Sequence, residues 1–212
     1  MESQLLLTLL SLSALSALME LDNVYAGQFM LSRPLVVGTV LGLLYGDIKT
    51  GVQLGIWTEL LLLDQLPVGG YVPPSGGVCA ASAFMLAYLC MLPVPFSFFL
   101  GLCIGKVYSL MESKLRAWRN SWNIEVERAA VETPDSLNGW MYKSLLLQFF
   151  SGFVFIFMSV QVFSLVGAGV WKVLPEEAQN AVELGYFAVP WIGVAALVFS
   201  LYSRGKAVQT HA

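Results

Sequence analysis

The sequence predicts an all-α, polytopic membrane protein with full-length transmembrane helices and a re-entrant or broken-helix hairpin. Three observations carry this. The chain is 57% hydrophobic and only 12% charged over 212 residues, its mean hydropathy is +0.72, and its apolar runs fall into two lengths, one long enough to cross a bilayer and one only half as long. We expect one membrane domain over residues 1–212, because no repeat of fixed period and no polar linker divides the chain.

Leu5 to Leu21 reads as a first apolar helix. Only Glu2 precedes it as a charge, whereas a signal peptide needs a basic leader, so the helix is expected to remain in the protein. Residues 35–66 then break the pattern. Leu35 to Tyr45 and Val52 to Leu63 are apolar runs of about a dozen residues each, separated by Gly46-Asp47-Ile48-Lys49-Thr50-Gly51. A full crossing takes about 20 residues at helical rise, so each run reaches about halfway and the pair predicts a re-entrant hairpin or a discontinuous helix. Gly38, Gly42 and Gly46 recur every four residues, as do Gly51, Gly55 and Glu59, which gives each half a narrow face for close approach by backbone or ligand.

Val78 to Leu92 is the next expected helix, ended by Pro93 and Pro95, and Phe96 to Met111 the one after. Residues 112–139 change character: they carry nine charges, while Leu115, Trp118, Trp122, Val126 and Ala129 recur at three- and four-residue spacing. This is an amphipathic segment outside the hydrocarbon, placed either on the membrane surface or over the mouth of a site. Trp140 to Val166 and Leu184 to Tyr202 supply two further spans around the polar turn Leu174-Pro175-Glu176-Glu177. Lys106, Lys114, Arg116, Arg119, Arg128 and Lys143 gather around the middle segment, and Arg204 and Lys206 follow the last span, so the positive-inside rule puts both regions in the cytoplasm.

The net charge of -3, with no basic patch laced with aromatics, excludes nucleic acid as a partner. Cys79, Cys90 and Cys103 lie in apolar runs without metal-ligand spacing, and neither a metal nor a cofactor is expected. The single histidine is His211, so any phosphoryl or proton carrier of that type belongs to another chain. Ionisable groups at membrane depth are costly and mark a path for substrate or ion, which singles out Asp47, Lys49, Glu59 and Asp64. Glu59 has two readings: it neutralises Lys49 or Arg33, or it accepts hydroxyl hydrogen bonds from a polar substrate. Gln53 and Trp57 share another face of the same half-helix.

The stretch resembles the enzyme IIC subunit of the mannose/sorbose family of bacterial phosphotransferase systems. The matching elements are Gln28-Phe29, Arg33-Pro34-Leu35, Gly46-Asp47-Ile48-Lys49-Thr50-Gly51, Thr58-Glu59-Leu60 and Pro73-Pro74 after a glycine pair, with Leu174-Pro175-Glu176 to Gly193 similar to a later external turn and helix. The resemblance implies a non-catalytic membrane component of a phosphotransferase complex in the bacterial inner (plasma) membrane. It would form an oligomeric sugar path with a IID subunit, while soluble IIA and IIB proteins carry the phosphoryl group to a hexose-type sugar. It also implies that Glu59 and Asp47 contact the sugar, with Gln53, Trp57 and Ser75 completing the candidate substrate-binding set. Pro67 and Ser75 stand where some mannose-type members carry Asn and Asp. Family members usually continue beyond the helix near Tyr202, so a chain ending at Ala212 raises the alternative of a shortened, non-transporting regulatory subunit. An ion-coupled secondary transporter is a further alternative, since broken helices with carboxylates also bind Na⁺ or H⁺. An intramembrane aspartyl protease is the last and needs Asp47 and Asp64 to meet.

Overall fold

The computed structural model describes residues 2–23, 27–65, 71–132 and 136–210. Pro67, the glycine pair Gly69-Gly70 and His211 lie outside the described residues. The regular structure of the described residues is all helical, in the order α1 (Glu2–Leu21), α2 (Pro34–Tyr45), α3 (Ile48–Leu62), α4 (Gly76–Tyr88), α5 (Val94–Arg119), a 3₁₀ turn (Asn120–Trp122), α6 (Asn123–Glu132), α7 (Ser136–Val173) and α8 (Glu176–Thr210). Among the described residues, four helical stretches are long and apolar enough to cross a membrane: Ser3–Leu21, Val94–Val131, Leu137–Val173 and Glu176–Tyr202.

The helical hairpin is made of α2 and α3, and its glycines do what their spacing requires. A Cβ at Gly38 would strike the carbonyl oxygen of Gly51, one at Gly42 would come within 2.7 Å of the Asp47 oxygen, and one at Gly55 within 2.7 Å of the Pro34 oxygen. The two small-residue faces thus pack backbone against backbone, the geometry such stripes permit. The break is shorter than the sequence suggests. Gly46 takes the left-handed conformation at φ 85° and Asp47 caps α3 by accepting a hydrogen bond from the Thr50 amide at 3.1 Å, so Ile48 to Gly51 already form the first turn.

The centre of the molecule is α4. Every residue from Gly77 to Leu86 is buried, because small side chains on this helix let α5 close on it: a Cβ at Gly101 would sit 2.6 Å from the Cys79 oxygen, and one at Gly105 would overlap Cys79 Sγ. The helix stops at Tyr88, before the expected Leu92, because Met91 turns left-handed at φ 53° and the Leu92 amide folds back onto the Leu86 carbonyl at 3.3 Å. In contrast, α5 overruns the expected end at Met111 and continues to Arg119, helped by a Glu112–Arg116 pair one turn apart at 2.8 Å. The described part of residues 112–139 is therefore not wholly a surface segment: Glu112 is buried on α5, and the helical course continues through the 3₁₀ turn into α6, whose described residues are mostly exposed. The outer helices close the bundle, α1 along α7 and α8 along α3, where a Cβ at Gly193 would come within 2.8 Å of Leu60.

Candidate functional site

Six helices contribute to one polar cavity, α1 to α4 by their ends and α5 and α7 by their sides. The approach to α2 is set by Asp22, whose carboxylate accepts from the Phe29 amide at 2.8 Å and the Leu31 amide at 2.6 Å. This anchor holds a loop in which Gln28 and Met30 adopt positive φ (55° and 66°), a conformation side chains resist and a tied loop sustains. The loop delivers Arg33 beside Pro34, whose ring starts α2 without needing an amide hydrogen. Glu59, near the end of α3, then receives Arg33 Nη1 on Oε1 at 3.0 Å and the Leu35 amide on Oε2 at 3.3 Å. One carboxylate thus satisfies both the guanidinium and an otherwise unpaired amide of the first turn of α2.

The opposite wall comes from α1, α4, α5 and α7. Ser75 caps α4 by accepting from the Val78 amide at 3.2 Å and donates its own hydroxyl to Glu20 Oε1 at 2.9 Å. Glu112 receives Arg116 Nε at 2.8 Å, Arg119 Nη2 at 3.5 Å and Gln148 Nε2 at 2.6 Å. Gln148 also donates to the Tyr108 hydroxyl at 3.2 Å, which fixes its amide orientation and leaves Oε1 as a buried acceptor with no partner. These groups line a cavity of about 600 Å³, within the range of small-molecule sites. Three carboxylates, Glu20, Glu59 and Glu112, and two guanidiniums, Arg33 and Arg116, line it. Such a wall can offer charge-assisted hydrogen bonds to a polar ligand. Histidine and cysteine are absent from the described lining residues.

Of the candidates read from sequence, the cavity brings together Glu59 and Ser75. Asp47 stands at the other end of α3 as its N-cap, about 18 Å away along the helix at 1.5 Å per residue. Gln53 is half-buried on α3 away from the lining. Trp57 packs its ring 6.2 Å from that of Tyr186 on α8, with Nε1 buried and unpartnered. Asp64 follows the C-cap of α3, so it and Asp47 lie at opposite ends of one helix, about 25 Å apart, and cannot share a proton as a protease pair must. Lys49 sits at that same Asp47 end; the Glu59 partner is Arg33. The sequence reading missed Glu20, Glu112 and Gln148. Their signal was present as polar groups in or beside apolar runs, Glu20 and Glu112 at the margins of predicted spans and Gln148 inside the span from Trp140 to Val166.

A family model described as the PTS system sorbose-specific IIC component matches residues 5–208. The chain belongs to that family. This IIC chain is 39% identical over 59 residues to the sorbose-specific EIIC component of the phosphotransferase system of Klebsiella pneumoniae, covering 28% of the chain and 22% of the relative. It is likewise 39% identical over 66 residues to N-acetylgalactosamine permease IIC component 1 of Escherichia coli (strain K12), covering 31% of the chain and 24% of the relative. Each match therefore spans less than a quarter of the relative's length. Among solved structures, one titled only as a membrane protein superposes with a TM-score of 0.75 at 17% identity over 93% of this chain and 79% of the other. A cryo-EM structure of the mannose transporter ManYZ with microcin E492 superposes with a TM-score of 0.59 at 16% identity over 94% and 79%. At these identities the likeness establishes the fold.

Proposed function

We propose that this IIC chain binds a hexose-type sugar in the cavity between α1, α2, α3, α4, α5 and α7 and forms, with a IID subunit, the sugar path of a phosphotransferase complex in a bacterial inner membrane. The observation that carries this reading is Gln148. It is 3% exposed, lines the cavity and holds an acceptor without a donor beside carboxylates that are already tied in place. A buried, unsatisfied acceptor costs about 1 to 3 kcal/mol, and a sugar hydroxyl entering the cavity relieves that cost while donating to Gln148 Oε1. Glu20, Glu59 and Glu112 accept further hydroxyls, and Arg33 and Arg116 donate to ring or hydroxyl oxygens. Ser75 acts through Glu20, holding it in place.

The α2–α3 hairpin is the re-entrant element of this path. Arg116 belongs both to the cavity wall and to the basic segment that the positive-inside rule places in the cytoplasm, so the cavity opens inward. A sugar there meets a phosphorylated IIB protein, itself charged by IIA, at the cytoplasmic face. Phosphorylation adds charge and prevents return.

Uptake of radiolabelled hexoses by vesicles carrying this chain with IID, IIB and IIA tests the reading. Gln148→Leu is expected to lower sugar affinity roughly tenfold, since the orphan acceptor is removed, while Glu112 keeps Arg116. Unchanged uptake would take the cavity out of the path. Uptake that persists without the soluble phosphotransferase proteins would establish ion coupling instead.

A further inference from the structure

A second recess, separate from the sugar cavity except for the shared Arg116, lies where the 3₁₀ turn and α6 fold back against the start of α7. It measures about 540 Å³. Its polar side is cationic: Arg119, only 10% exposed at the side chain, gives Nη2 to Glu112 at 3.5 Å and Nη1 to the Ser144 hydroxyl at 3.4 Å, so its plane is fixed at the rim. Lys143 stands over the rings of both Trp122 and Trp140, 4.6 and 4.5 Å from their centroids, a double cation–π contact with two residues that line the recess. Among the described lining residues none is acidic. The remaining wall is apolar, from Val126, Leu137 and Met141.

Position decides the occupant. The recess lies beyond Met111, where the apolar run of α5 ends in the sequence, and at the start of the α7 span that the sequence begins at Trp140. Trp118, Trp122 and Trp140 pack there with ring centroids 5.1 and 5.7 Å apart, as an aromatic belt does where hydrocarbon meets headgroups. A soluble anion would match the cations and waste the apolar wall; a peptide helix would match the apolar wall and leave nothing for the fixed guanidinium. An anionic phospholipid meets both requirements at this depth.

We propose that this recess is a binding site for the headgroup of an anionic phospholipid, with the phosphate held by Arg119, Ser144 and Lys143 and the glycerol and first methylenes against Val126, Leu137 and Met141. The site clamps the 3₁₀ turn and α6 to the start of α7 at the membrane surface and does not depend on the sugar reading.

The test is association of spin-labelled lipids with the purified full chain, reconstituted in equal parts phosphatidylcholine and phosphatidylglycerol. The native protein is expected to prefer labelled phosphatidylglycerol over labelled phosphatidylcholine, and Lys143→Gln to weaken that preference about fivefold, the worth of one basic residue at an anionic surface. Arg119→Gln should do the same, while Arg119→Lys, which keeps the charge that faces Glu112, reports whether loss of fold rather than of lipid is responsible. Met141→Asp, aimed at the apolar wall, should abolish the preference with both cations intact. Equal association of the two lipids with the native chain overturns the proposal, as does a preference that survives Lys143→Gln and Met141→Asp. Displacement of the labelled lipid by millimolar inorganic phosphate would assign the recess to a free phosphate and overturn it as well.

Discussion

At the scale of single residues, Glu59 is the informative case, because both readings offered by the sequence have a physical counterpart in the structure. Its ion pair with Arg33 is real at 3.0 Å, yet the Arg33 side chain is 55% exposed and that of Glu59 23%, so this is not a buried pair. Exposed pairs contribute only about 0.2 to 1 kcal/mol, and a Gln at this position still accepts from the Leu35 amide. Glu59→Gln is therefore expected to leave the unfolding temperature nearly unchanged, whereas exchanging a charged acceptor for a neutral one lowers sugar affinity by about 1 to 2 kcal/mol, roughly tenfold. Calorimetric sugar titration beside a thermal melt of the purified complex separates the two. Normal affinity in the Gln variant would leave Glu59 as an anchor for α2 and nothing more. Asp47 gives the opposite expectation. As the N-cap of α3, Asp47→Ala should cost about 1 kcal/mol of stability and leave sugar affinity unchanged, because the carboxylate lies at the far end of the helix from the cavity. A tenfold loss of affinity with full stability would return it to the site.

Elements carry a different kind of information. The four-residue glycine spacing in α2 and α3 predicted close backbone approach, and the structure puts the Asp47 oxygen 2.7 Å and Ile48 Cα 2.9 Å from where a Gly42 Cβ would be. Neither atom can step aside, since both belong to the turn of the hairpin. Gly42→Leu should thus cost more than about 3 kcal/mol and abolish recovery of folded protein. Leu43→Gly, one position along but 63% exposed, should cost only about 1 kcal/mol in helix propensity. Equal yields by size-exclusion chromatography would remove the packing role. The same comparison shows what sequence conveys at this scale. Periodicity revealed the hairpin and its facing stripes because small residues leave a spacing signature. It could not show that α4 is the buried centre, because a run such as Gly76-Gly77-Val78-Cys79-Ala80-Ala81 is equally apolar toward lipid and toward protein. Helix ends shifted for local reasons: Asp47 capped α3 early, Met91 ended α4 early, and the Glu112–Arg116 pair carried α5 on.

The whole molecule assembles its cavity from chain segments far apart in sequence, and this is why half of the site was hidden. Glu20 and Ser75 are 55 positions apart and Glu112 and Gln148 are 36, yet each pair shares a hydrogen bond. Single polar residues at the margins of apolar runs do not announce which of them will meet. The all-α membrane class and the family motif around Glu59 were readable because composition and local motif need no tertiary partner. Topology binds these levels together. If residues 112–139 are cytoplasmic, Arg116 places the mouth of the cavity on the cytoplasmic side and the tip of the hairpin at Asp47 points away from it. Ala130, exposed on α6, reports this directly. In a background with the exposed Cys103 replaced by serine, Ala130→Cys should resist a membrane-impermeant maleimide applied to intact cells and react fully once the cells are opened. If the hairpin is re-entrant as proposed, a cysteine introduced at the exposed Leu43, close to its tip, should stay unreactive from the cytoplasmic side. Rapid labelling of Ala130→Cys from outside would invert the molecule, point the cavity outward and leave phosphorylation at the cytoplasmic face without access to the bound sugar.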